Sequence, residues 1–96
     1  MYLIHGTIAT TGVSQKIVPA AVVPDRITPF QQFIYQNNGS FNMRLGDHGV
    51  SATRGILIYP SGGSVNLSPQ LSYTGEISEF YVNGTAGDTF DILVME

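Results

Sequence analysis

The chain has 96 residues, no cysteine and a net charge of −3, and only 11% of it is Asp, Glu, Lys or Arg. Ordinary soluble domains carry about a quarter charged residues, and this length suits one domain, 1–96, that must bury its core without disulfides or thiolate metal sites. Lys16, Arg26, Arg44 and Arg54 are too scattered to form the basic stripe that phosphate neutralisation requires, so nucleic acid is not an expected partner. Met1-Tyr2-Leu3-Ile4-His5 lacks a basic n-region and a sustained apolar run, and no segment reaches transmembrane length, so neither an export signal nor a membrane contact is expected.

Helical periodicity is absent, and the strongest alternations have period two, which places successive side chains on opposite faces of a sheet. Residues 1–10 and 14–23 read as two strands. Pro19, Pro24 and Pro29 restrict 1–30 to edge strands or an extended arm, with 31–96 as the core of the domain. Asn37-Asn38-Gly39 then reads as a three-residue hairpin loop, which sets Tyr35 opposite Phe41 and Phe33 opposite Met43. Phe41, Met43 and Leu45 alternate with Asn42 and Arg44. Gly46-Asp47-His48-Gly49 is a turn whose length matches neither flanking face. Ile56-Leu57-Ile58-Tyr59 is apolar on both faces and suits a central strand covered on both sides.

Pro60-Ser61-Gly62-Gly63-Ser64 breaks the pattern, and Val65, Leu67 and Leu71 resume it against Asn66, Ser68 and Gln70. Tyr73-Thr74-Gly75-Glu76 is another breaker. Thr85-Ala86-Gly87 repeats the first hairpin, with Val82 opposing Phe90 and Phe80 opposing Ile92. Phe90, Ile92 and Val94 form the last inward-facing set. Turns recurring about every ten residues predict an all-β, compact antiparallel sandwich, jelly roll or barrel-like domain.

Chemistry-bearing clusters are few. Asp47 and His48 are adjacent and point apart on an extended chain, so they do not form an acid–base dyad. Asp47 between glycines reads instead as a cap of its own backbone. No Gly-x-Ser-x-Gly elbow is present. Asp88 and Asp91 flank a glycine loop without the ligand run that a hard cation requires, and Asp88 reads as turn solvation. Asn38, Asn66 and Asn83 fit the glycosylation pattern, and read as strand and turn residues in a chain without an export signal. No catalytic residue, cofactor or metal is therefore expected. The stretch 13–24 is apolar, weakly charged and broken by prolines. It is either an edge strand folded over the core or an arm that pairs with another subunit, with Ile17, Val18, Pro19, Val22, Val23 and Pro24 as the contact candidates.

From Phe33 onward the order of turns and strands is distinctive: Ile34-Tyr35-Gln36-Asn37-Asn38-Gly39, Asn42-Met43-Arg44-Leu45-Gly46-Asp47, Val50-Ser51-Ala52-Thr53-Arg54-Gly55-Ile56, Pro60-Ser61-Gly62-Gly63, and Tyr81-Val82-Asn83-Gly84-Thr85-Ala86-Gly87-Asp88. It resembles small structural proteins of tailed-bacteriophage virions. The resemblance implies a non-enzymatic capsid decoration or cement protein, assembled in the host cytoplasm and carried in the virion. Its expected partners are copies of itself, as a trimer, and the major capsid or tail protein. A carbohydrate-binding or tail-fibre module for host recognition is the alternative that the aromatic and Asn-rich composition allows.

Overall fold

The computed structural model describes residues 2–18, 32–67 and 77–95, which form eight strands and one short 3-10 turn. The strands are Tyr2–Thr7 (β1), Gln15–Lys16 (β2), Gln32–Asn37 (β3), Met43–Gly46 (β4), Ile56–Ile58 (β5), Gly63–Leu67 (β6), Tyr81–Asn83 (β7) and Thr89–Met95 (β8), with the 3-10 turn at Ile77–Glu79. They make two four-stranded antiparallel sheets, ordered β1-β8-β3-β6 and β2-β7-β4-β5. The protein is all-β. Its pairing is nested: β1 meets β8, β2 meets β7, β3 meets β6 and β4 meets β5, as in a long ribbon doubled on itself and then rolled until β8 meets β3 and β7 meets β4.

The inner faces of both sheets share one core, and period two selects its members. Ile4 on β1, Phe33 and Tyr35 on β3, Met43 and Leu45 on β4, Val82 on β7, and Phe90, Ile92 and Val94 on β8 are all buried. Tyr35 stacks on Phe90 with ring centres 5.0 Å apart, and Phe33 meets Phe80 edge-on at 5.0 Å. The Tyr35 hydroxyl donates to Met43 Sδ at 3.2 Å, joining one sheet to the other. Each such side chain contributes about 1.5–3 kcal/mol by leaving water. Gly6 lies opposite Phe90 in the ladder, and a Cβ there would stand 2.3 Å from Phe90 Cζ, so glycine makes room for the ring.

The inward faces agree with the alternation, but the expected hairpins do not form. Tyr35 lies opposite Ile92 and Val65, not Phe41, and Phe33 lies opposite Val94 and Leu67, not Met43. Val82 faces Leu45 and Gln15, not Phe90, and β7 belongs to the other sheet from β8. Glycine turns stand at both places, yet each carries the chain across the core. Parity is preserved by such a crossing, because two facing sheets can each point the same residues inward. Phe41 precedes β4, lies in the crossing and is exposed.

Asn37 fixes this first crossing. Its side chain is wholly buried; its Nδ2 donates to the Phe41 carbonyl at 2.9 Å and to the Ile58 carbonyl at 3.1 Å, and its Oδ1 accepts from the Gly39 amide at 2.8 Å. The second crossing docks beside it. Asp88 Oδ2 accepts from the Phe41 amide, and the Ile8 amide donates to the Asp88 carbonyl.

β5 is an edge strand, contrary to the central position expected for Ile56–Tyr59. It pairs with β4 alone, Ile58 faces the core, and Ile56 and Tyr59 are exposed. The 46–49 turn opens a longer loop between β4 and β5 that folds back over the second sheet, burying Val50 against Gly46 and Gly55. Asp47 caps its own backbone as expected, its Oδ1 accepting from the Gly49 amide at 2.8 Å. The expected breaker at 73–76 and the strand position of Leu71 lie outside the described residues.

Candidate functional site

The contact candidates divide between the core and the residues that are not described. Gln15–Lys16 form an edge strand paired to β7, and the chain then turns inward, with the Ile17 amide donating to the Phe80 carbonyl at 3.2 Å. Ile17 and Val18 are 0% and 1% exposed, so their side chains are committed to this chain's own core. Pro19, Val22, Val23 and Pro24 lie outside the described residues.

The outer face of the β1-β8-β3-β6 sheet is the broad surface that the described residues present. Two registers cross it. Leu3, Leu93 and Ile34 lie side by side in an apolar row, with Leu3 72% exposed. His5, Asp91, Gln36 and Ser64 form a polar row next to it. A shallow depression of about 270 Å³ lies between the rows. The polar row satisfies itself: His5 Nδ1 lies 2.6 Å from Asp91 Oδ1, and Asn38 Nδ2 donates to Asp91 Oδ2 at 2.6 Å. In the strand beyond, Gln32 Nε2 donates to Asn66 Oδ1 at 2.6 Å.

The His5–Asp91 pair was invisible in the sequence, since its members are 86 positions apart. Among the described residues it does not extend to a nucleophile. Ser64 lies three strands from His5 along the polar row, about 14 Å at the usual interstrand spacing. The pair thus fits a surface ion pair, worth at most about 1 kcal/mol.

His48 lines a wide depression of about 550 Å³ with Lys16, Asp47, Phe80 and Tyr81. Its ring approaches Tyr81 edge-on at 6.5 Å, and the neighbouring Asp47 carboxylate is held by the Gly49 amide. Among the described residues no group of three His, Cys, Asp or Glu side chains is placed to hold a metal ion. Asp88 and Asp91 serve separate partners, Phe41 and the His5/Asn38 pair, instead of converging. No helix among the described residues is long and apolar enough to cross a membrane.

Several of the charged side chains among the described residues are tied down. Asp47, Asp88 and Asp91 are held as described, and the Arg44 guanidinium donates to the Ala52 and Gly55 carbonyls at 3.1 and 3.0 Å. What faces outward is largely amide, hydroxyl and aliphatic. Comparison with protein-family models, with curated proteins and with solved structures finds no match to the chain.

Proposed function

We propose that the protein is a non-enzymatic virion structural subunit, a capsid decoration or cement protein of a tailed bacteriophage that stabilises the head through subunit contacts. The observation that carries this reading is a well-packed domain whose outer sheet face has an apolar row beside a polar row with its only charges paired to each other. Such a face can be covered without burying an unpaired charge, the costly step in forming most interfaces. Scarcity of charge over the whole chain favours the same role.

The nested strand order supports a finer assignment of the fold as a jelly roll, since a doubled ribbon rolled into two four-stranded sheets produces this order. Viral capsid domains use that architecture, as do lectins and cupins, so fold supports the role without establishing it. In this reading the protein is a homo-oligomer, a trimer, seated on the major capsid protein.

Sedimentation velocity at micromolar concentration, followed by co-sedimentation with phage heads and tails, tests the proposal. The expected results are a discrete oligomer, saturable binding to heads, and loss of one or both on Leu3→Glu with the fold retained. A monomer at every concentration that binds neither heads nor tails would refute it.

A further inference from the structure

We propose that a recess on the outer face of the second sheet binds a single carboxylated sugar residue, a role separate from assembly. Arg44 on β4 and Asn83 on β7 are ladder partners, so their side chains share that face, and Leu57 on β5 flanks Arg44 on its other side. Together with Thr11, Asn42 and Thr85 they line a recess of about 240 Å³.

Two observations mark it as a ligand site. First, Arg44 is fixed in place by the Ala52 and Gly55 carbonyls through Nε and Nη1, and Nη2 has no partner among the described residues. Among the described residues no carboxylate forms an ion pair with Arg44. Second, Asn83 is only 5% exposed, and its side-chain amide has no hydrogen-bond partner among the described residues. Buried amides are ordinarily paired, and one left open beside an oriented guanidinium suits a ligand that supplies the missing bonds.

The lining selects the ligand. A planar guanidinium matches a carboxylate, and no second cation stands in the recess to balance a phosphate dianion. A bare carboxylate can only accept, which leaves the accepting groups of the recess without a donor. The amides of Asn42 and Asn83 both donate and accept, as do the hydroxyls of Thr11 and Thr85, which matches the hydroxyls of a sugar ring. The Thr11 hydroxyl accepts from the Ala86 amide, which leaves its proton to donate. Leu57 offers an apolar wall to the C–H face of a ring. A volume of 240 Å³ is about eight waters' worth, room for one pyranose.

The test is an NMR titration of the full chain with sodium glucuronate, with glucose and acetate as separate arms. Glucuronate is expected to shift the side-chain amide signals of Asn42 and Asn83 and the Arg44 Nε signal saturably. Loss of the charge-assisted contact in glucose, or of the hydroxyl contacts in acetate, is expected to weaken binding at least about tenfold. Arg44→Gln should abolish binding. Because Arg44 also anchors the 47–55 loop, Thr85→Val serves as the second variant: it should weaken glucuronate severalfold with the backbone spectrum otherwise unchanged. Acetate binding as tightly as glucuronate, glucose binding as tightly, unchanged affinity in Thr85→Val, or no shift at tens of millimolar would each overturn the proposal.

Discussion

Replacing Asn37 by alanine should be among the most damaging single changes in the protein. The side chain makes three hydrogen bonds in a fully buried setting, tying the end of β3 to the 38–42 crossing and to β5 in the opposite sheet. At about 1 kcal/mol net for each bond, the loss is about 3 kcal/mol. The Gly39 amide and the Phe41 and Ile58 carbonyls would be left needing partners, so this figure is a lower bound. For a domain of this size the loss lowers Tm by about 12–24 °C. Asn37→Asp should be worse. It keeps the acceptor for Gly39 but sets a carboxylate oxygen against two carbonyls. Asn38→Ala is the control, since it removes one exposed bond to Asp91 and should cost under about 1 kcal/mol. Urea and thermal unfolding followed by circular dichroism measure all three. If Asn37→Ala were no more destabilising than Asn38→Ala, Asn37 would not be the element that holds the crossing.

Gly6→Ala should destabilise by about 1–3 kcal/mol, because the new methyl would stand 2.3 Å from Phe90 Cζ in a ring already stacked on Tyr35. Phe90→Leu in the same chain should recover part of the loss, and chemical denaturation of the single and double variants reads the coupling. Burial pushes the Tyr35 phenol well above its ordinary range. The unfolded chain therefore releases this proton near pH 10 while the folded one retains it. Stability is full below about pH 10 and falls above it by up to about 1.4 kcal/mol per pH unit. Denaturation midpoints at pH 9, 10 and 11 should show the decline, and Tyr35→Phe should flatten it.

The sequence also made some functional features legible and hid others for a physical reason. Asp47 between Gly46 and Gly49 was readable as a self-capping turn, because an Asx contact spans two residues. Ile17 and Val18 looked available for an outside contact because they lie next to prolines, yet the chain turns them into its own core. The Arg44–Asn83 recess was hidden, since Asn83 read as one more Asn-Gly turn residue and nothing local links it to β4.

The period-two parity of Phe33, Tyr35, Met43, Leu45, Val82, Phe90, Ile92 and Val94 was determined by the sequence alone, because alternation is a property of one extended strand. So was the turn at Gly87, whose positive φ needs only local backbone chemistry, whereas glycine at 39 is required by the close approach of the Asp88 side chain. The partners across the ladders were decided by the tertiary structure. A glycine turn that reverses the chain within a sheet looks the same in sequence as one that carries it across a core. Closure of β1 on β8, and the buried Asn37 that joins both sheets, separate the two outcomes. Scarcity of charge, plain in the composition, acquired its structural meaning only when folding set Asp91 against His5 and Asn38 and left one sheet face that could be covered.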